Sequence, residues 1–593
     1  MDGTGGRARR ADVAVDHGKV TDVGRAIGAA GARVIDVSGL VVAPGFIDIH
    51  THCDFTLQRH PRADAMVRQG VTTVVAGNCG HSTFPLGAGA HRDLLQRYSA
   101  FFGDSLDWSW SDAAGFIRML GRLPLAVNVA LLVGHGTARV AVMGFEHRAP
   151  TRHELDQMRA AVADAMRAGA FGLSSGLIYA PGSYAATDEI VALARAAAQG
   201  GGFYATHLRN EGPALLEALS EAIEIAQRAG LPLQVSHHKV LGRRNWGLTR
   251  ASLGLIDAAR HSGADITLDQ YPYQASSTTL TVLLPAWAVE GGIEQMHARL
   301  ADPAHRSRIR AEILDGPADG GPKREFEPDT LMISSVPGGN RELIGHSLAE
   351  VAAARGMPPV GLLLDLLAEY GGGVEVVIFA IGEDDIQRVM THPQVAVASD
   401  GWTLHPDVGG CPHPRSYGTF ARVLGHYVRE KEVLSLPAAV RKMTSLPARR
   451  LGLADRGVVT PGAAADLAVF DPVTVADRAT FTEPHQFCAG VEHVFVNGAH
   501  VIAAAADTGR PAGQVLRGPA ATGGGKNRQE AGHGILMDAY HRRHGHRRNR
   551  QVGNARHDRC TLPHDLWREH VAGRAGSVHQ CGVPHPASSM ERA

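Results

Sequence analysis

Cysteine is scarce in this chain: 593 residues carry six, at Cys53, Cys79, Cys411, Cys488, Cys560 and Cys581. They are too few and too scattered for a disulfide framework, and no Cys-x-x-Cys pair occurs. Net charge is absent too, with 59 basic residues against 59 acidic ones. A balanced chain has no field to draw in nucleic acid or an anionic membrane, so neither is expected as a partner. No uninterrupted apolar run reaches the roughly 18 residues that a spanning helix needs. The start, MDGTGGRARRADVAV, lacks the apolar stretch of a secretory signal. The expected setting is soluble, reducing and cytoplasmic. What is present is an ordinary globular balance, 44% hydrophobic and 20% charged, in a chain long enough for a large core and more than one domain.

Organisation shows in changes of texture. From Ala11 to Val42 short β-like runs are split by glycine (ADVAV, KVTDVG, RVIDV, LVVAP), and the same texture returns in DLAVFDP and VEHVFVNG near the other end. Between them apolar runs alternate with Ala-rich helical stretches. The runs are TTVVAG (72–77), LAVNVALLVG (125–134), GLSSGL (172–177), GGFYATH (201–207), LPLQVSH (231–237), DITLDQYPY (265–273), EVVIFA (375–380) and VAVASD (395–400). Repeated strand–helix units predict a parallel sheet, either a closed barrel or a doubly wound sheet. Residues 285–350 break the rhythm and read as an insertion. From 518 to 593 the apolar period is lost, and the run HRRHGHRRNR predicts a basic, His-rich, disordered tail.

Polar residues fall at the ends of the apolar runs. GFIDIH leads to His50 and His52, TTVVAGN to Cys79, YAT to His207, LQVS to His237 and VAVAS to Asp400. In a parallel barrel these carboxyl ends share one face, so metal-ligating side chains would converge there. Imidazole, thiolate and carboxylate together suit zinc. His50 and His52 alternate on a strand and so share a face. Of the adjacent His237 and His238 only one can point inward. Taken singly, Cys79 reads equally well as a small buried hydrophobe, and Asp400, before glycine, as a turn residue.

Further segments carry a resemblance: APGFIDIHTHCD, GVTTVVAGNCG, GLSSGLIYAPGSYA, THLRNEG, VSHHK, DQYPYQASST, ASDGW, HPRSYGTF and KMTSLPARRLGL. Their set and order, over about residues 10 to 517, resemble the N-acyl-D-amino-acid deacylases (D-aminoacylases) of the amidohydrolase superfamily. The resemblance implies an α/β fold: a distorted TIM-type (β/α)8 barrel, residues 45–455, with a small β-sandwich built from both chain ends, 1–44 and 456–517. It implies one or two Zn2+ ions held by His50, His52, Cys79, His207, His237 and Asp400, with Asp400 also the acid/base. Lys239, Tyr271 and Arg415 are expected to meet the substrate, and Tyr179 to serve the oxyanion. The implied partner is a small N-acyl amino acid and the implied reaction is hydrolysis of its linear amide. Relatives also lead in with an apolar strand ahead of the phrase matching DGTG, so an edge strand is expected to be missing here. Two alternatives compete. One is a cyclic-amide hydrolase of the dihydropyrimidinase or hydantoinase kind, whose bridging lysine is replaced here by Cys79. The other is a degenerate barrel that binds metal without turnover.

Overall fold

The computed structural model describes residues 1–521, except 29–31, 100–105, 318–324 and 408. The expected disordered tail lies, from residue 522 onward, outside the described residues.

Six parallel strands run side by side in the order Val395–Val397, Ile266–Gln270, Leu233–Val235, Phe203–His207, Gly172–Gly176 and Val133–Gly134. Phe46–Asp48, Val71–Ala76 and Asn128–Leu131 form a second parallel set. The two sets are continuous: Asn128–Leu131 runs on into Val133–Gly134, and the intervening Leu132 N–H donates to the Ala76 carbonyl at 2.8 Å. The ring closes where Thr51 bridges Gly401 and the Asp400 N–H donates to the His50 carbonyl at 2.9 Å. The domain is TIM-barrel-like. Its strands are covered on both faces, which is why Val71–Ala76 is buried along its whole length and reads as an unbroken run rather than an alternation.

Helices cover the ring, and their signals are local. Arg152–Ala168 starts at Thr151, whose hydroxyl accepts from the Glu154 N–H while the Glu154 carboxylate reaches back to the Thr151 N–H. Its inward stripe is Met158, Val162, Ala165 and Met166, spaced for one helical face. Among the described residues no single helix is long and apolar enough to cross a membrane.

One run departs from the expected rhythm. Glu375–Ile378, inside EVVIFA, is not a strand of the ring. It is the centre of an antiparallel sheet between Ser276–Thr279 and Leu331–Ser335. Apolar character alone cannot say which sheet a short strand joins. This sheet packs with its own hydrophobic cluster, from Leu280 to Val376. A further five-stranded sheet joins distant segments: Val41–Pro44 pairs with Leu467–Phe470, followed by Val491–Val496, Ala499–Ala503 and Ala506–Asp507. The hairpin of Asp12–Asp16 and Lys19–Gly24 meets that end of the chain through a Lys19–Ala464 bridge.

Candidate metal centre and active site

The strand ends deliver six side chains to one place. Three of them, on Cys79, His237 and Asp400, sit on backbone with φ of 53°, 34° and 51°. Left-handed conformations are costly for residues with a side chain, and they persist where the surroundings enforce them, often at functional sites. The enforcement at Cys79 is visible. Gly80 follows it at φ 76°, and a Cβ placed on Gly176 would lie 2.0 Å from the Cys79 carbonyl oxygen. Gly176→Ala is therefore expected to push the Cys79 turn out of place and lower both metal content and melting temperature. Metal analysis and a thermal melt check this; no change in either would show that the turn yields without cost.

His50 Nε2 lies 3.3 Å from Cys79 Sγ and 3.2 Å from Asp400 Oδ1. His52 Nε2 is 3.1 Å from the same Asp400 oxygen, and His237 Nε2 is 3.3 Å from Cys79 Sγ. Two donor groups result: His50, His52, Cys79 and Asp400; and Cys79, His207 and His237. Within each group the donor atoms lie within 4.8 Å of one another. Cys79 belongs to both. Four ligands about 2.0–2.3 Å from a tetrahedral zinc stand roughly 3.3–3.8 Å apart, so this spacing fits a metal ion.

The electrostatics fit as well. Burial opposes ionisation of the Cys79 thiol, but the imidazoles of His50, His237 and His207 outweigh it and hold its pKa well below the usual thiol range. Burial likewise opposes the Asp400 carboxylate, and Arg415, His50 and His237 overcome it. Conversely, His50 is pushed well up, against its burial, by Cys79, Asp269 and Asp400. These shifts favour a thiolate and a carboxylate beside His50 and His52 rings that hold their protons more tightly than usual. A divalent cation would take over the charge those protons carry.

A second set of groups holds these side chains in place. Asp269 Oδ1 lies 3.1 Å from His50 Nδ1 and accepts the His237 N–H at 2.7 Å, while Gln234 donates to Oδ2 at 2.6 Å. Glu211 lies 3.1 Å from His237 Nδ1 and 3.4 Å from His207 Nε2. Carboxylates behind ligating imidazoles fix ring orientation and raise basicity. Above the cluster opens a cavity of about 560 Å³, a size suited to a small ligand. Its floor includes His52, Cys79, His237, Asp400 and Arg415, and Tyr179 stands in its wall. The Arg415 guanidinium holds Asp400 Oδ2 at 2.7 Å.

The sequence pattern of the amidohydrolase family matches residues 33–502. The chain belongs to that family. This amidohydrolase is 40% identical over 524 residues to D-aminoacylase of Alcaligenes xylosoxydans xylosoxydans, spanning 88% of this chain and 96% of that one. It is 39% identical, with the same coverage, to N-acyl-D-glutamate deacylase of the same organism. The structure of N-acyl-D-glutamate deacylase from Bordetella bronchiseptica, complexed with zinc and a phosphonate mimic of the tetrahedral intermediate, matches it with a TM-score of 0.73. Identity there is 38%, over 87% of this chain and 97% of that one.

Within the amidohydrolase the sequence-predicted residues divide. His50, His52, Cys79, His207, His237 and Asp400 come together. His237 points into the cluster, whereas His238 turns away to Ser252 Oγ at 2.8 Å. Lys239 was expected to hold substrate. Its ammonium is instead 2.6 Å from Glu211 and 2.9 Å from His237 Nδ1, and neither it nor Tyr271 lines the cavity. A buried ammonium takes the nearest buried carboxylate, and Glu211 is that partner. Tyr271 lies under both cations, 4.9 Å from the Arg415 guanidinium and 5.6 Å from Lys239 Nζ. Asp269 and Glu211 went unassigned from the sequence. The signal for Asp269 was a carboxylate within a strand-like run, ITLDQ.

Proposed function

We infer that this amidohydrolase hydrolyses N-acyl-D-amino acids to a carboxylate and a free D-amino acid, with zinc held in the His/Cys/Asp cluster. The observation that carries the reading is the pair of donor groups sharing Cys79 beneath a substrate-sized cavity. They provide for one or two ions. The relatives named above, acting on N-acyl-D-glutamate or bearing the name D-aminoacylase, support the substrate class and its handedness. Bound zinc supplies an acidified water and polarises the scissile carbonyl.

The chain's own residues do the rest. Asp400 accepts a proton at Oδ1, the oxygen facing His50 and His52, and returns it to the leaving amide nitrogen. Its other oxygen is pinned by Arg415, so the carboxylate cannot swing away. Burial, then the negative charge of Cys79, pushes the Tyr179 phenol well above its ordinary pKa. It therefore keeps its proton at neutral pH and can donate to the developing oxyanion. Arg415 is the cation that reaches the cavity wall near the cluster, which supports it as the partner of the substrate α-carboxylate, with Tyr271 stacked beneath. Lys239 serves as a positioning residue for His237. A substrate whose carboxylate is held at Arg415 and whose carbonyl faces the His/Cys/Asp cluster would have its α-carbon fixed in two directions, so one enantiomer would drive its side chain into the wall.

The pairing of Val41–Pro44 with Leu467–Phe470 supports a small β-sandwich built from 1–44 and 456–517 around a barrel of 45–455. The antiparallel sheet of 276–378 supports the insertion placed at about 285–350. A reducing, cytoplasmic setting suits a site that depends on a free thiolate.

The test is turnover of paired N-acetyl-D- and N-acetyl-L-amino acids, with hydantoins and dihydropyrimidines alongside. Hydrolysis of the D series alone is expected, and strong chelation should abolish it. Equal rates on both hands, or preference for the cyclic amides, would overturn the substrate assignment.

A further inference from the structure

The relatives at nearly equal identity include deacylases of acidic and of unspecified D-amino acids, so overall similarity does not choose among side chains. The cavity wall does. Part of it is formed by the antiparallel sheet and the segments that join its strands, with Leu284, Val289, Ile293, Met296 and Val336 lining the space. Besides the exposed Glu369, one further carboxyl of this wall lines the space. Glu375 begins the central strand, flanked by Thr279 and Ser335, and all three line the cavity.

Two observations separate Glu375 from a structural carboxylate. First, among the described residues it makes no side-chain hydrogen bond and no ion pair, whereas Glu189, Glu211, Asp269 and Asp466 are all held by named donors. Second, among the described residues no cation is paired with it. Arg415, which attracts it, is paired with Asp400 and is the cation assigned above to the substrate α-carboxylate, and Arg97 is paired with Glu294 at 3.1 Å. Burial pushes its pKa up to about 7 against the pull of Arg415. Its carboxyl is half-buried and unpartnered at the cavity surface, so a ligand side chain that enters there meets it directly.

We propose that Glu375 determines side-chain specificity in this cavity: it excludes N-acyl-D-amino acids with acidic side chains and leaves apolar and basic ones as substrates. The physical basis is like-charge repulsion inside a low-dielectric wall that offers an acidic side chain no counter-ion. A long aliphatic stem with a cationic head would satisfy both the apolar wall and the carboxyl. The inference rests on the deacylase reading given above.

The experiment compares kcat/KM at pH 8 for N-acetyl-D-methionine, N-acetyl-D-lysine and N-acetyl-D-glutamate, in the wild-type enzyme and in Glu375→Gln. In the wild type the glutamate substrate is expected to fall behind methionine by at least roughly 100-fold, the cost of two like charges about 6 Å apart at an effective dielectric near 20. Glu375 has no partner to strand, so the glutamine variant should fold. It is expected to raise kcat/KM for the glutamate substrate by about 10-fold or more, lower it for lysine, and leave methionine within about 3-fold. A wild-type enzyme that takes glutamate as well as methionine overturns the proposal without any variant. So does a Glu375→Gln enzyme that turns over methionine but keeps the wild-type discrimination. Absence of turnover on every N-acyl-D-amino acid is a different result: it overturns the deacylase reading, and the specificity role with it.

Discussion

Cys79→Ala should strip the protein of zinc and, with it, essentially all hydrolysis. Sγ is the one atom common to both donor groups, 3.3 Å from His50 Nε2 and 3.3 Å from His237 Nε2. Removing it subtracts a ligand from every position an ion could take. It also removes the negative charge that holds the surrounding imidazoles together, so His50, His52, His207 and His237 are left facing one another. Loss of an outer partner of a metal ligand costs about 10–100-fold in affinity. Loss of a shared thiolate should exceed the upper end of that range. The measurement is zinc per chain after dialysis, alongside kcat in zinc-supplemented buffer and a melting curve. A variant that keeps both its zinc and its rate would mean that Cys79 only fills space, as buried cysteines commonly do.

Asp400→Asn should cost at least roughly 100-fold in kcat, the lower end of what a positioned acid–base group contributes. Asparagine keeps the shape and loses the proton acceptor. The substitution also breaks a buried pair, since the Asp400 and Arg415 side chains are 8% and 7% exposed. Leaving one member of such a pair uncompensated costs about 3–5 kcal/mol. That is a large part of the roughly 5–15 kcal/mol that holds a typical domain folded, so the melting temperature should drop as well. The two effects are separated by measuring kcat per folded, zinc-loaded site at a temperature well below the new midpoint. Retained zinc with a lost rate assigns Asp400 to proton transfer. Zinc lost with the rate makes it chiefly a ligand. An unchanged kcat would reduce it to a turn residue before Gly401.

Much of the ring was legible because its signal is local. A strand buried on both faces must be apolar along its length, and seven of the eight runs named from the sequence, from TTVVAG to VAVASD, contain strands of the ring. The eighth, EVVIFA, was legible as a strand but not as part of a different sheet. Its partners, Ser276–Thr279 and Leu331–Ser335, lie roughly 100 and 40 residues away in the chain, at a distance where propensity says nothing of pairing. The same division holds at the site. His50 and His52 could be put on one face from spacing alone, because the period of a strand is two. Whether His237 or His238 turned inward could not, because a backbone φ of 34° at His237 breaks that period just where it is needed.

By itself, then, the sequence determined which residue types stand at the ends of the buried runs, and hence a nitrogen–sulfur–oxygen donor set with a carboxylate among it. Only the tertiary structure decided what each donor is held by. Asp269 reaches His50 across 219 residues, and Asp400 reaches His52 across 348. Lys239 went to Glu211 rather than to an open substrate position, and Glu375, from a strand outside the ring, came to face the cavity. The reason is physical. A side chain's chemistry is carried in the chain one residue at a time, but a pKa, a counter-ion or an empty wall exists only between residues that closure of the barrel brings together.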